Sequence, residues 1–227
     1  MIYIVGLGPG HKDYIMTKAL EIMKKSDIII GFKRAIDSLE FIENKKIYIN
    51  KLSDIDKFIC DDVCNEVFDE ICGEENQEAD ISTSKKVKYN NISIVASGDP
   101  TFYGITNYIK SKTVLETEVI PGISSFQYLT CKLKLPWNNA YLGSLHGRCE
   151  EFLGKINDNN LSIWLTDKDN NPAVLSKILQ EAEIKCKVII GENLSYEDEI
   201  ISEGNPEEFI NTTFSPLSIF IVDKDNI

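Results

Sequence analysis

Three short turns combine glycine or proline with polar side chains at points where buried strands are predicted to end. They are Gly6-Leu7-Gly8-Pro9-Gly10, Ser97-Gly98-Asp99-Pro100 and Pro121-Gly122-Ile123-Ser124-Ser125. Glycine leaves backbone N–H and C=O groups accessible to a ligand. Open α/β sheets bind their ligands at the carboxyl ends of the strands. The three turns therefore predict a site for a small organic ligand, with Asp99 as an anionic contact.

Two common nucleotide-binding motifs do not fit the first turn. The third glycine of a dinucleotide fingerprint is replaced by His11, and the next predicted strand ends in Gly31-Phe32-Lys33 without an acidic residue. The sequence also lacks the Gly-Lys-Ser/Thr of a P-loop. Taken alone, the glycines fit an ordinary strand-to-helix turn equally well, and Asp99 fits a turn or helix N-cap residue.

The first half of the chain alternates short apolar runs with helical patterns. Strands are predicted at 2–7, 28–30, 46–49, 92–96 and 118–120, with helices at 14–25, 35–42, 53–71 and 102–109. Such alternation predicts a mostly parallel sheet with helices on both faces. Residues 74–91 have few large apolar side chains, so we expect a polar loop there.

The second half has more strands with less helix between them. Strands are predicted at 141–145, 161–165, 188–190, 199–201 and 217–222, and helices at 123–134, 150–156 and 173–183. We therefore expect two α/β domains, an N-terminal one over 1–120 and a C-terminal one over 121–227 with a mixed sheet and helices.

Composition excludes several classes of partner. Lys and Arg total 24 against 36 Asp and Glu, a net charge of −12 that disfavours nucleic acid and anionic lipid. No basic leader is present at the N-terminus, and no apolar run approaches the ~20 residues of a membrane span, so we expect a cytoplasmic protein that does not engage a membrane.

The cysteines and histidines give little support for a metal site. Cys60 and Cys64 lie one helical turn apart and could share a metal, but no histidine accompanies them and buried helix positions explain them better. We expect no metal site, and we interpret all six cysteines as reduced thiols: Cys60, Cys64, Cys72, Cys131, Cys149 and Cys186.

The three turns, in this order and spacing, resemble those of the tetrapyrrole methylases, the S-adenosylmethionine-dependent enzymes of sirohaem and cobalamin synthesis. The resemblance spans essentially the whole chain. The block Ser144-Leu145-His146-Gly147-Arg148, with Leu165-Thr166-Asp167 and Gly191-Glu192-Asn193-Leu194-Ser195, is similar to the branch that methylates C5 of cobalt-precorrin-7. One departure is His11, where the family usually has an aspartate.

The resemblance implies a two-domain fold that binds S-adenosylmethionine in a cleft between the domains and releases S-adenosylhomocysteine. It also implies a homodimer, because family members commonly form one. The residues that the resemblance assigns to the cofactor are Leu7, Pro9, Ser97, Gly98, Asp99, Phe102, Ser124, Ser125, Leu165, Thr166, Asn193 and Leu194.

A corrinoid precursor carries several carboxylates and needs local positive charge. The candidates for substrate binding are Lys33, Arg34, His146 and Arg148. Arg34 could instead be a solvated residue at a helix start, and Arg148 a member of a structural ion pair. His146 is either a turn histidine or a substrate-side donor or general base, and His146 and Arg148 are the candidates for a catalytic role.

The sequence thus predicts S-adenosylmethionine-dependent methylation of a corrin precursor at C5. Three alternatives stay open: a family member that methylates another ring carbon, an enzyme of the diphthine synthase type with a protein substrate, and a sensor that binds a nucleotide or corrinoid without turnover. Some relatives carry a second module that methylates C15 and decarboxylates. The predicted elements leave no stretch for it, so we expect a separate protein to catalyse that reaction.

Overall fold

The computed structural model describes residues 1–59, 89–148 and 150–226. They form two compact units, Met1–Ser124 and Ser125–Ile227. The predicted domain boundary after Ile120 falls at the end of the last strand of the first unit. Several predictions lie outside the described residues: the helix beyond Ile59, the polar loop over 74–88, and the interpretation of Cys60, Cys64, Cys72 and Cys149.

The first unit is built on a parallel sheet of five strands. They are β1 (Ile2–Gly6), β2 (Ile28–Phe32), β3 (Lys45–Ile49), β4 (Ile92–Ala96) and β5 (Thr117–Ile120), arranged in the order β3-β2-β4-β1-β5. In the parallel register of β1 and β4, Ile4 lies opposite Ile94. The central strands are runs of isoleucine and valine, which is typical of strands covered on both faces. The predicted parallel sheet is confirmed.

Helices cover both faces of this sheet. They are α1 (Thr17–Lys25), α2 (Lys33–Asp37), α3 (Asp56–Ile59) and α4 (Thr106–Lys112). Successive residues of β1 point to opposite faces. Val5 packs in a cluster with Met23 of α1, whereas Ile4 packs in a second cluster with Phe58 of α3 and Ile109 of α4.

The helix predicted from Phe102 begins four residues later, at Thr106. An Asp99 carboxylate oxygen accepts a hydrogen bond from the Thr101 N–H at 2.7 Å, which closes a turn. Tyr103 then has a φ of 53°, a left-handed conformation that interrupts a helix. Side-chain to backbone bonding at Asp99 therefore replaces the first helical turn.

The second unit contains a mixed sheet of five strands. Its elements are α5 (Ser125–Leu133), β6 (Tyr141–Ser144), α6 (Phe152–Asp158), β7 (Leu161–Leu165), α7 (Pro172–Glu181), β8 (Lys187–Glu192), β9 (Ile200–Gly204) and β10 (Ser218–Asp223). The order is β6-β7-β10-β8-β9, with β6 and β7 parallel and β10 antiparallel to both β7 and β8. The carboxyl ends of β6, β7 and β8 therefore share one edge. The prediction of a mixed sheet with helices is confirmed.

Aromatic residues fill the core of the second unit. Trp164 and Phe220 are fully buried, and the Phe152 ring meets the Trp164 ring at a centroid distance of 5.0 Å. A Cβ atom at Gly143 would lie 2.4 Å from the Trp164 ring, so only glycine fits beside it on β6. This packing holds β6 and β7 together behind the turns that follow them.

No helix among the described residues is long and apolar enough to cross a membrane.

Candidate functional site

The first two glycine turns of the first unit are joined directly through their backbones. The Gly8 N–H donates to the Gly98 carbonyl at 3.3 Å, and the Gly98 N–H donates to the Gly8 carbonyl at 2.7 Å. Both residues have positive φ angles, 80° and 67°, which glycine adopts without strain. This isolated antiparallel bridge joins the two turns just beyond the ends of the parallel strands β1 and β4.

The third turn meets the other two at Gly122. A Cβ atom on Gly122 would lie 2.2 Å from the Gly98 carbonyl oxygen and 2.9 Å from the Gly6 backbone. No larger residue fits without moving the backbone. We call Gly6, Gly8, Gly98 and Gly122 the glycine cluster, and it brings together the three turns that the sequence singled out.

Asp99 connects the second turn to the third. One carboxylate oxygen accepts from the Thr101 N–H at 2.7 Å and from the Thr101 hydroxyl. The other oxygen accepts from the Gly122 N–H at 3.3 Å. Asp99 is therefore a turn residue, and its half-buried carboxylate also places a negative charge beside the glycine cluster.

The remaining predicted cofactor residues of the first unit differ in exposure. Leu7 is 3% exposed and belongs to the apolar cluster under α1, so a ligand at this turn would meet its backbone rather than its side chain. Ser124 is 4% exposed and lies within the third turn. Pro9 and Phe102 are half-buried, and Ser97 is exposed.

The two predicted cations of the first unit have different surroundings. Arg34 donates from Nη2 to the Ser97 hydroxyl at 3.2 Å, and both residues line a pocket with Phe32 at the ends of β2 and β4. Lys33 instead forms an ion pair with Asp37 of its own helix at 3.0 Å, and this hydrogen bond raises the pKa of Lys33. The structure thus brings Arg34, but not Lys33, into contact with the second turn.

In the second unit, the turn after β6 is fastened to the end of β7. We call Leu145–Arg148 the histidine turn. The Leu145 N–H donates to the Leu165 carbonyl at 2.9 Å, and His146 Nδ1 lies 3.1 Å from the Thr166 carbonyl oxygen. Gly147 has a φ of 63°, and its N–H donates to the Asp167 carboxylate at 2.8 Å.

The Asp167 carboxylate holds both the histidine turn and the turn that follows β7. Besides Gly147, it accepts from the N–H groups of Asp169 at 3.0 Å and Asn170 at 2.7 Å. The N–H groups of Gly147 and Asn170 lower the pKa of the Asp167 carboxyl, because they stabilise its charged form. The neighbouring Thr166 is 5% exposed, and its hydroxyl donates to the Ser218 carbonyl at 2.8 Å.

The third loop of this edge follows β8. Asn193 has a φ of 45°, and its side chain accepts from the Ser215 hydroxyl at 2.6 Å and donates to Asp198 at 2.7 Å. The buried carboxylate of Glu192 accepts from the Ser215 N–H at 2.6 Å. Leu194 is 4% exposed. The structure thus places the predicted residues Leu165, Thr166, Asn193 and Leu194 at the same edge as His146.

Sequence reasoning missed the acidic residues that fix these loops. Asp167 follows a strand and precedes Asn170 and Asn171, a pattern that indicates a turn closed by side chains. Glu199 accepts from the Ser195 N–H at 2.7 Å and pairs with Lys132 at 3.2 Å. Burial opposes its charge, but the bonds from Tyr128 and Ser195 lower the pKa of Glu199. The sequence gives no signal for the partners of Glu199.

Within the described ranges, no three His, Cys, Asp or Glu side chains are grouped so that they could hold a metal ion. Cys131 is an exposed free thiol and Cys186 a buried one, and burial raises the pKa of Cys186 to about 11.

Comparison with known proteins identifies a family and full-length relatives. The family model described as Tetrapyrrole (Corrin/Porphyrin) Methylases matches residues 1–210. A Methanocaldococcus jannaschii protein named "Probable cobalt-precorrin-7 C(5)-methyltransferase" is 32% identical to this chain, over 99% of each chain.

Solved structures share the fold. The precorrin-6Y methylase of cobalamin biosynthesis from Archaeoglobus fulgidus superposes with a TM-score of 0.67 at 20% identity, covering 99% of this chain and 98% of that one. A uroporphyrin-III C-methyl transferase from Thermus thermophilus, complexed with S-adenosylhomocysteine, has a TM-score of 0.71 at 16% identity, covering 99% and 92%.

Proposed function

Because the chain belongs to the tetrapyrrole methylase family, we propose that it transfers a methyl group from S-adenosylmethionine to C5 of cobalt-precorrin-7, a step of cobalamin biosynthesis. The expected family, fold, enzyme class and methyl donor are confirmed: the chain is an S-adenosylmethionine-dependent methyltransferase. The choice of substrate and ring carbon rests on one observation. This is the 32% identity to the Methanocaldococcus jannaschii protein over 99% of both chains.

The chemistry of the strand-end turns fits the cofactor. S-adenosylmethionine combines a cationic sulfonium, an amino acid group and an adenosine, so it needs an anion, backbone hydrogen-bonding groups and apolar contacts. Asp99 supplies a carboxylate beside the glycine cluster, and Leu194 supplies a buried apolar side chain in the second unit. The proposed cofactor residues are Leu7, Pro9, Ser97, Gly98, Asp99, Phe102, Ser124 and Ser125 in the first unit, and Leu165, Thr166, Asn193 and Leu194 in the second.

Several of these side chains already have partners within the protein. The Asp99 carboxylate accepts from Thr101 and Gly122, the Thr166 hydroxyl donates to Ser218, and Asn193 is bonded to Asp198 and Ser215. Such side chains are held in fixed orientations before any ligand binds. We therefore propose that backbone groups of these turns provide many of the contacts, and that the side chains hold the turns in shape.

When bound, the cofactor supplies an electrophilic methyl group together with its own leaving group. The protein therefore needs no nucleophile of its own. Its residues bind the two reactants in line, keep the accepting carbon close and exclude water, which is how positioning accelerates a bimolecular transfer.

We assign the carboxylates of the corrinoid to the cations at the two strand edges. Arg34 lies beside Ser97 in a pocket, and Arg148 is exposed in the histidine turn. Lys33 is the weaker candidate, because its ammonium group is paired with Asp37. These local charges would attract a polycarboxylate to a protein whose net charge is −12.

The proposal extends to assembly and cellular setting. We propose that the protein is a cytoplasmic homodimer, as is common in the family. We also propose that a separate protein methylates C15 and removes the carboxyl group. Sedimentation of the purified chain tests whether it is a dimer. The product mass described next tests whether C15 methylation and decarboxylation belong to a separate protein.

The proposed function is tested by incubating the chain with labelled S-adenosylmethionine and a panel of precorrin intermediates. Mass spectrometry and NMR then locate the new methyl group. We expect cobalt-precorrin-7 to gain one methyl group at C5 and to lose no carbon dioxide. A methyl group on another carbon would assign the chain to a different branch, and gain of two methyl groups with loss of carbon dioxide would refute the separate C15 enzyme.

Cofactor binding measured by calorimetry, taken together with formation of S-adenosylhomocysteine, separates an enzyme from a sensor. We expect S-adenosylmethionine and S-adenosylhomocysteine to bind at concentrations below about 1 mM, the weak end of ordinary affinities. A sensor would bind the cofactor or corrinoid without forming S-adenosylhomocysteine. Absence of binding by both nucleosides would contradict the proposal altogether.

A further inference from the structure

The surroundings of His146 determine which of its ring nitrogens carries the proton. Nδ1 lies 3.1 Å from the Thr166 carbonyl oxygen. A carbonyl oxygen can only accept a hydrogen bond, so Nδ1 must be the donor. When the ring is neutral, Nε2 therefore has no proton and presents a lone pair.

Both sides of this hydrogen bond are anchored. On the histidine side, the next residue, Gly147, donates its N–H to the Asp167 carboxylate at 2.8 Å. On the carbonyl side, the Thr166 hydroxyl donates to the Ser218 carbonyl at 2.8 Å, and Thr166 is 5% exposed. The ring itself is in an exposed residue at the strand edge. The tautomer and the orientation of the ring are thus fixed by the fold, as in histidines oriented by a carbonyl or carboxylate partner.

Methylation of a ring carbon that carries a hydrogen and regains its double bond requires a proton acceptor. The new C–C bond uses an electron pair of the ring system, and the S–C bond breaks with its electron pair remaining on sulfur. The macrocycle thereby gains a positive charge. Charge balance is restored when the hydrogen on the methylated carbon leaves as a proton and its bonding pair returns to the ring system.

We propose that Nε2 of His146 accepts this proton. The inference rests on the proposed C5 methylation and adds the group that completes it. Thr166 acts as a positioning residue through its carbonyl oxygen, and Asp167 acts as one through the Gly147 N–H. Histidine suits the task because its imidazole takes up and releases a proton near neutral pH.

The second histidine of the chain is an internal reference for the tautomer. His11 Nδ1 accepts from the Asp13 N–H at 3.3 Å, which is closer than the Asp13 carboxylate oxygen at 3.6 Å, so its proton belongs on Nε2, the opposite arrangement. The chain contains only these two histidines. A nitrogen-15 NMR spectrum of histidine-labelled protein, at a pH where both rings are neutral, should therefore show one ring of each tautomer. A His11→Asn variant assigns the two signals.

The spectrum tests, without any turnover, whether Nε2 of His146 is free of its proton in the neutral ring. We expect His146 to have its proton on Nδ1. A proton on Nε2 of His146, or equal population of the two tautomers, would overturn the proposal, because the fold would then not keep the lone pair of Nε2 available to accept a proton.

Measurements of turnover test whether His146 accepts the proton during methylation. His146→Ala should lower the rate of C5 methylation about 100-fold or more, the usual contribution of a general base, while calorimetric affinity for S-adenosylmethionine stays within about twofold. Added imidazole should restore part of this rate in proportion to its concentration. His146→Asn is the matched control. Its side-chain amide can still donate to the Thr166 carbonyl oxygen, but it has no basic nitrogen in the place of Nε2.

Two outcomes would contradict the role of His146 as the proton acceptor. In one, His146→Asn is as active as the wild type, which would make the residue purely structural. In the other, imidazole fails to restore any activity to His146→Ala. If the wild type binds S-adenosylmethionine but does not methylate cobalt-precorrin-7, the proposed substrate fails, and the NMR spectrum alone decides whether His146 presents a basic Nε2.

Discussion

The two units hold their strand-end turns by different means. In the first unit, glycine backbones approach one another directly: Gly8 pairs with Gly98, and Gly122 lies against the Gly98 carbonyl. In the second unit, acidic side chains reach over to neighbouring N–H groups: Asp167 accepts from Gly147, and Glu199 accepts from Ser195. The first edge is held mainly by close backbone contacts, with Asp99 as its charged partner, and the second mainly by charged side chains.

This difference determines which changes each edge tolerates. Turns held by backbone contact are sensitive to any added atom, because two main chains cannot both move without disturbing the sheet. Turns held by carboxylates are tolerant of added volume but sensitive to loss of charge, because charge-assisted hydrogen bonds are about twice as strong as neutral ones. The following predictions test this contrast, beginning with the largest effect.

Gly122→Ala should destabilise the first unit by about 3 kcal/mol or more. Its new Cβ would lie 2.2 Å from the Gly98 carbonyl oxygen, and neither backbone can give way cheaply. Urea unfolding of the variant measures the loss. The matched control is Gly147→Ala in the histidine turn, where a Cβ would meet no atom within 4 Å.

That control should cost only about 1 to 2 kcal/mol, the strain of a left-handed alanine at a φ of 63°. Equal losses in the two variants would show that the edges do not differ in their tolerance of volume.

Asp167→Asn should destabilise the second unit by about 1 to 2 kcal/mol. The amide retains one acceptor oxygen but removes the charge that Gly147, Asp169 and Asn170 stabilise with their N–H groups. Thermal unfolding followed by circular dichroism measures the change. Asp169→Asn removes the same charge from the same loop and should change stability by less than about 0.5 kcal/mol. A larger loss in Asp169→Asn than in Asp167→Asn would contradict our description of this edge.

Asp99→Asn should weaken binding of S-adenosylmethionine by about 1 to 3 kcal/mol, the range for a charge-assisted hydrogen bond. The shape of the side chain is kept, so the turn closed on Thr101 should persist. Calorimetry measures the affinity, and circular dichroism checks the fold. Unchanged affinity would leave Asp99 with only its role in the turn.

The sequence predicts the turns of the first unit but not the carboxylate contacts of the second. The glycine turns were found because a glycine at a strand end has a conformational meaning of its own. The runs of isoleucine and valine likewise predicted the strands, and β4 has the predicted bounds, Ile92–Ala96.

What escaped prediction depends on partners distant in sequence. Glu199 bonds Ser195 locally, but its other partners Tyr128 and Lys132 lie on α5. The late start of α4 was missed because the Asp99 side chain competes with the helix for the Thr101 N–H. Neither arrangement has a local pattern in the sequence that distinguishes it from a solvated charge or an ordinary helix start.

Arg148→Ala should raise the KM for the corrinoid about tenfold, because we assign this exposed arginine to a substrate carboxylate. Affinity for S-adenosylmethionine should not change. Arg34→Ala is the counterpart at the other edge, where the guanidinium donates to Ser97. Steady-state kinetics of the two variants show whether one edge or both hold the macrocycle. Loss of cofactor affinity with substrate affinity kept would reverse the assignment.

Acidification below about pH 4 should loosen the turns of the second unit before the glycine cluster. Hydrogen bonds lower the pKa values of Asp167 and Glu199 in the folded state relative to ordinary values of about 3.9 and 4.3. A depressed folded-state pKa stabilises the fold fully above the unfolded value, and this stabilisation is lost as the pH falls through the folded one. The affected window therefore lies below about pH 4. The effect should be smaller than those above, because solvent screens both partly exposed carboxylates.

Hydrogen exchange of individual amides measures this difference between the edges. As the pH falls from about 6 to about 3, the protection factors of Gly147 and Ser195 should decrease, because their N–H groups donate to Asp167 and Glu199. The amides of Gly8 and Gly98 donate to carbonyl oxygens, which do not titrate, so their protection factors should stay constant. An equal decrease at all four amides would mean that acid opens the whole protein, and that carboxylate charge does not set the local stability of the second edge.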